Sequence, residues 1–410
     1  MTATKDLFLQ FPNETYWKFE VIYSFGTSNS TSALHFEINQ PPSDGSCDIN
    51  PKIGTISTLF IVTCFDWQIE ENIKDYSLYT ASQQIIAFSS VSSFQVRLPI
   101  DNHLNLIVHI RDIMNGITEY NLSSVTVLSE SIDLSEQSFI ELLSSGNQNT
   151  IGQIITLINN ELNQILGKAI PSGLSLISMS ISSLKSTRMI NMQTNPPINE
   201  SARLTFNKEI NRLANLREYF INFTSNLTIV SANSLKLQSL SLVQLTNGTN
   251  QLTRTTLIVA SNKCYQLTHQ LYQWLNKLPY EDVQIIATQL LQCTSNILSA
   301  VNGPLQKRTE ILEKDQRFYF QKKLLANELN NKINEINSLL TSALNFHLNL
   351  GQQYTIDTSE VFMSLETMYV QSLHNKMNVS SNLNPNQIIS FRVRRFFSLC
   401  AKLFDFVVVL

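Results

Sequence analysis

The chain is short of charge, glycine and cysteine, and it has no long apolar run. Charged residues fill 15% of its 410 positions, against a usual share of about 25%. The polar content therefore rests on Ser, Thr, Asn and Gln, which excludes a charge-rich disordered chain. A net charge of −3 and a pI near 6.1, with no basic block before the last twenty residues, leave no electrostatic footprint for nucleic acid. Eleven glycines are too few for an all-β protein full of tight turns, so helix is predicted over much of the chain. No apolar stretch reaches the roughly 18 residues a bilayer-spanning helix needs. The first residues, Met1 to Asp6, lack the apolar core of a secretory signal, so the chain reads as cytosolic or as a fragment.

Catalytic signatures are missing too. Gly-x-Gly-x-x-Gly, a Walker loop, Gly-x-Ser-x-Gly and Cys-x-x-Cys do not occur, and no enzyme or cofactor is expected. The histidines at 35, 103, 109, 269, 347 and 374 never stand three or four apart, and no metal site is expected. His103 and His109, evenly spaced, would share one face of a strand. Glu70-Glu71 and Glu281-Asp282 read as a solvated loop pair and as helix-start acids rather than as an acid/base dyad. Asp112 and Asp101 read as turn-capping carboxylates rather than calcium ligands, which need a denser cluster of oxygens.

What is present divides by period. Residues 7–131 alternate as strands, with Tyr16 to Phe25, Ala33 to Asn39, Ile56 to Phe65 and Leu104 to Ile110 the clearest. Pro41-Pro42-Ser43-Asp44-Gly45 marks a boundary, and the stretch from Cys47 to Leu128 has the size of one sandwich of about 80 residues with about seven strands. From Ile151 the period becomes helical, with Ile154, Ile158, Leu162 and Leu166 in step and Gly167 as the stop. Further helices are predicted at about 200–228, 233–246 behind a Ser231 cap, 251–278, 281–302 and 305–350, with Ser-rich 170–198 as a long loop. Alternation returns from Tyr354 to Leu365. The last twenty residues, with Arg392, Arg394, Arg395 and Lys402 among Phe and Val, read either as an amphipathic membrane-surface helix or as a truncated end.

Five cysteines stand as two local pairs and Cys400. Cys264 lies on the stripe Leu257, Ala260, Leu267, Leu271, and Cys293 on the stripe Val283, Ile286, Leu290, Ile297. In a helix hairpin broken at Pro279 they face each other, as a disulfide in an oxidising compartment or as two buried thiols. Eight Asn-x-Ser/Thr sequons occur, at Asn13, Asn29, Asn121, Asn199, Asn222, Asn226, Asn247 and Asn378. Composition alone yields about that number, so they permit glycosylation without proving it.

The string Cys47, Pro51, Gly54, Thr58, Phe60, Cys64, Trp67, then Tyr76, Leu98-Pro99, Val108, Ile110, Asp112 and Gly116 resembles the receptor-for-egg-jelly (REJ) module of polycystin-1-like proteins and sea-urchin sperm receptors. Ser234-Leu235-Lys236-Leu237-Gln238-Ser239, Leu245-Thr246 and Gln251-Leu252-Thr253-Arg254 are similar to the helical segment that follows it, and the likeness covers about residues 5–375. The resemblance implies an α+β multidomain chain: 1–44 as the last strands of a preceding sandwich, 45–131 as a fibronectin type III-like sandwich, 132–353 as a helical domain, and 354–410 as the start of a GAIN-like β region with a truncated tail. It further implies a Cys47–Cys64 crosslink over a loop of about 16 residues, worth roughly 3 kcal/mol, with Trp67 as the core aromatic, Gly54 in the turn and Pro99 ending a strand. The family's proteolysis triplet, PLAT domain and membrane helices are not seen, so the chain reads as a middle piece of a larger receptor. The function so implied is extracellular, adhesive or ligand-sensing, coupled in the whole receptor to a calcium-permeable channel, with a protein or glycan ligand. An intracellular helical scaffold using the 305–350 segment, or a non-functional gene fragment, are the alternatives.

Overall fold

The computed structural model describes residues 10–11, 14–25, 28–69, 72–130, 148–157, 200–301, 316–348, 352–358, 361–369, 390–391, 394–395 and 403–409. They form two compact units, Met1–Ile132 and Asp133–Leu410. The order is β strands, then helices, then strands again, an α+β chain.

The first unit opens with a two-stranded ribbon, β1 (Tyr16–Phe25) against β2 (Ser28–Glu37), in register from Tyr16 opposite Glu37 to Phe25 opposite Ser28. Ten short strands follow: β3 (Ser46–Asn50), β4 (Ile53–Thr55), β5 (Phe60–Phe65), β6 (Ile73–Thr80), β7 (Ile85–Ser89), β8 (Ser93–Val96), β9 (Asp101–Leu104), β10 (Leu106–Asp112), β11 (Ile117–Asn121) and β12 (Val125–Leu128). They sort into sheets of order β3-β5-β8, β11-β10-β6-β7 and β4-β12-β9. The sequence had predicted about seven strands; the additional ones come mainly from the edge sheet β4-β12-β9, whose members are only three or four residues long.

Period-two burial explains the strands. Phe60, Val62 and Cys64 point into the core and Ile61 and Phe65 point out, while Val108 and Ile110 are fully buried on β10. β8 stops at Val96, two residues before the buried Leu98 and three before the half-buried Pro99, as the proline predicts. Gly54 departs from its expected role. It lies within β4, and the requirement on it is space: a Cβ there would stand 2.8 Å from both Thr58 and Phe60 side-chain atoms.

The second unit begins with helix α1 (148–157), followed by α2 (Glu200–Ser225), α3 (Ala232–Thr246), α4 (Arg254–Gln273), α5 (Tyr280–Val301) and α6 (Gln316–His347). Ser231 caps α3, its Oγ accepting from Ser234 N at 3.1 Å. α4 starts later than expected because Thr253 caps it and a tight turn, Thr249–Gln251, precedes it. α3 is the central helix, with twelve of its residues buried. The apolar stripe of α6, from Leu325 through Leu329, Ile333, Ile336 and Leu340 to Leu344, is buried, and α6 packs on α4 and α5. The seam that a scaffold helix would offer to partners is thus taken up within this unit.

The strands β13 (Gln353–Asp357) and β14 (Phe362–Tyr369) pair antiparallel where alternation returned, and Met363 lies against Thr341 of α6. β17 (Leu403–Val409) adds to β14, with two-residue strands β15 (Ser390–Phe391) and β16 (Arg394–Arg395) on its other edge. The described end of the tail, Leu403–Val409, is therefore strand and not an amphipathic helix: the run Phe404 to Val409 is mostly aromatic and β-branched, a composition that pairs better than it coils. The predicted loop 170–198, the Gly167 stop and the start of α6 at Pro304 lie outside the described residues, as do Glu70, Glu71, Asn13, Asn199, Asn378 and Cys400.

Candidate functional site

The sandwich unit is organised around a covalent pair. Cys47 on β3 and Cys64 on β5 stand directly opposite each other in the ladder, with a Cα separation of 4.0 Å, and are joined by a disulfide. Both sulfurs lie on the buried face beside Ile49 and Val62, so the bond crosslinks neighbouring strands inside the core.

Trp67 takes a different place from the one expected. It is half-buried, and Phe60 and Tyr79 hold the deep positions. The Trp67 ring packs on the Gly45 backbone, where a Cβ would stand 2.3 Å from it, and meets Tyr120 edge-on at 6.0 Å. Asp44, with φ of 58°, turns the chain just before this contact. Trp67 thus fastens the segment entering β3 onto β11. The same end is held by Asp112, which accepts from Gly116 N at 2.7 Å and from Asn39 Nδ2 at 2.6 Å. Thr118 donates to the Pro42 carbonyl, and Ser43 pairs with Gln68. Asp101 accepts from His103 N at 2.9 Å. Both aspartates serve as turn caps, the reading favoured by the lack of a dense oxygen cluster around them in the sequence.

His103 and His109 do not share a strand face. The chain breaks at Asn105, leaving His103 exposed on β9 and His109 on β10. His109 stacks on Tyr79 at 4.2 Å and faces Glu119 across the ladder at 3.3 Å. Among the described residues, no group of three or more His, Cys, Asp or Glu is placed to hold a metal ion, and no helix is long and apolar enough to cross a membrane.

The helical unit buries charges that sequence reasoning did not single out. Lys236 of α3 and Asp282 of α5 form an ion pair at 2.6 Å with almost no exposure. Asp282 is therefore not a solvated helix-start acid; only its neighbour Glu281 is exposed. Lys263 is buried on α4 and donates to Leu227 O at 2.8 Å, just past the end of α2, and burial lowers its pKa to about 8. Arg217 of α2 is fully buried and donates to Gln244 O, Leu245 O and Gln251 Oε1, closing the last turn of α3. Desolvation lowers its pKa to about 10. Gly248 lies flat under the guanidinium, with a Cβ position only 2.5 Å from Nη2. Lys263 and Arg217 are held by backbone and amide oxygens, and Lys236 by a carboxylate, so these groups join helices. One signal was available: Lys236 is the single charged residue of α3, whereas Arg217 stands among other charged residues of α2 and gave none.

Helix α1 is locked to α3 by a second polar knot. Gln148 donates to Thr228 O at 2.7 Å and accepts from Ser234 Oγ at 2.6 Å, Gly152 lies against Leu237, and Thr156 donates to Gln244 Oε1 at 3.1 Å.

Cys264 and Cys293 both face inward as their helical stripes predict, with 0% exposure, and stand in this structure as two buried thiols, one of the two states the sequence left open. The sequons whose side chains are described, Asn121, Asn222, Asn226 and Asn247, are all exposed, and Asn29 lies on β2.

Comparison with known proteins gives one family match. The REJ domain model matches residues 9–170, a span that takes in the ribbon, the disulfide-bonded sheets and α1. No curated protein matches the chain.

Proposed function

We propose that this chain, which carries a REJ domain, is a non-catalytic extracellular segment of a polycystin or egg-jelly-receptor-like membrane protein. The observation that carries the reading is the REJ match over residues 9–170 together with a disulfide at the centre of the matched fold. A disulfide buried between paired strands belongs to an oxidising compartment. The three-on-four strand order of β3-β5-β8 and β11-β10-β6-β7 supports a fibronectin type III-like sandwich. Exposed sequons at four described positions are compatible with a glycosylated surface.

In this reading the segment works by recognition and by bearing load. It presents a protein or glycan ligand surface at the outer face of the plasma membrane, and the larger receptor couples that contact to a calcium-permeable channel. The buried ion pair and guanidinium clamp give the helical unit a fixed shape through which a ligand contact could be transmitted. The boundaries proposed are a REJ sandwich over 45–131, a helical domain over 132–353 and a GAIN-like β region from 354.

The test is intact mass of the signal-fused, secreted chain before and after glycosidase. A mass drop on glycosidase, with glycans mapped to Asn222, Asn226 or Asn247, is expected. A folded but unglycosylated protein with free Cys47 and Cys64 would overturn the reading.

A further inference from the structure

We propose that Cys264 and Cys293 become a second disulfide when the chain folds in an oxidising compartment, and that the folded helix hairpin then seals the bond from solution reagents. The proposal rests on the extracellular reading above.

The geometry comes first. α4 and α5 are joined by a short connection through Pro279, and both cysteines lie at 0% exposure on their facing stripes. Cys264 Sγ donates to Leu290 O at 3.7 Å, one turn before Cys293 on α5. The Cys264 side chain therefore reaches α5 at the level of the turn that carries Cys293, the first condition for a bridge between neighbouring helices. On the far side, Thr246 donates to Cys293 Sγ at 3.8 Å, and Asn296 donates to that Thr246 hydroxyl at 3.2 Å. The surrounding positions Leu267, Leu290 and Ile297 are fully buried and apolar.

Chemistry then sets the order of events. The attacking species in disulfide exchange is the thiolate. Hydrogen bonding to Cys293 and burial push the Cys264 thiol well above its ordinary pKa, and neither sulfur is open to a partner. Oxidation therefore belongs to the open chain. One cysteine thiolate attacks the disulfide of an oxidised dithiol oxidoreductase, forming a mixed disulfide and releasing one of its thiolates. The second cysteine thiolate displaces the other, so two electrons pass to the oxidoreductase, which leaves as a dithiol, and both substrate thiols lose their protons. Closure of the hairpin then buries the product.

The experiment uses the full secreted chain, alkylated in denaturant without reductant, digested and mapped. Linked Cys47–Cys64 and linked Cys264–Cys293 peptides, with Cys400 alkylated, are the expected result. A linked Cys47–Cys64 with both Cys264 and Cys293 alkylated overturns the proposal and leaves the extracellular reading standing; four alkylated cysteines overturn both. In a second arm, the folded protein is treated with dithiothreitol with and without urea before mapping. The Cys264–Cys293 link should survive without urea and vanish with it, a difference of at least about tenfold in rate when opening is required. Equal reduction in both conditions overturns the sealing of the bond.

Discussion

Lys236 and Asp282 form an ion pair of 2.6 Å whose two side chains are only 3% and 5% exposed, linking the central helix α3 to the first turn of α5. An ion pair this deep is costly to split, because the remaining charge keeps its desolvation penalty without its partner. Asp282→Asn should therefore lower the stability of the helical unit by about 3–5 kcal/mol in urea unfolding. Replacing both, Lys236→Met with Asp282→Leu, should cost much less than the sum of the single changes. Additive costs in that double-mutant cycle would show that the two groups are not coupled.

Lys263 gives the helical unit a pH signature. Its folded pKa, lowered to about 8 by burial, lies below the ordinary lysine value of 10.5. Between those values the unfolded chain binds more protons than the folded one, so stability rises with pH from about 8 toward 10.5. Lys263→Met should remove this rise. Parallel curves for the two proteins across that window would contradict the assignment.

The Cys47–Cys64 bond closes a loop inside the sandwich. Cys47→Ser with Cys64→Ser should cost the first unit about 3 kcal/mol, since the unfolded chain regains the entropy of that loop. Calorimetry should show the sandwich transition shifting downward while the helical transition holds its temperature.

Gly248 is required by crowding, since its φ of −77° is open to any residue. Gly248→Ala places a methyl on the Arg217 guanidinium, which is fixed by three acceptors, and should cost about 1–3 kcal/mol. Gly152→Ala meets only the Leu237 side chain and gains helix propensity, so it should cost less. Equal losses would show that the clamp is not rigid.

Much of this architecture was legible because it depends on period and on turn chemistry. The stripes carrying Cys264 and Cys293 follow helical spacing, Ser231 announces the start of α3, and Phe60, Val62 and Cys64 alternate as a half-buried strand must. The misses came from tertiary context. Asp282 has the sequence position of an exposed first-turn acid, and only the neighbouring α3 shows that it meets Lys236. Trp67 is large enough for the core, yet Gly45 offers it a flat seat at the sheet end. His103 and His109 keep even spacing through a strand break that their spacing cannot reveal. The tail carries charge among apolar residues, and the partner strand β14 decides that it extends.

The most direct measurement of the central claim is binding of an antibody raised against the exposed, sequon-free hairpin turn 81–84 of the native protein, on intact and on permeabilised cells that make it. The account predicts equal binding in both. Binding confined to permeabilised cells, in protein known to have left the secretory pathway, would contradict an extracellular REJ segment.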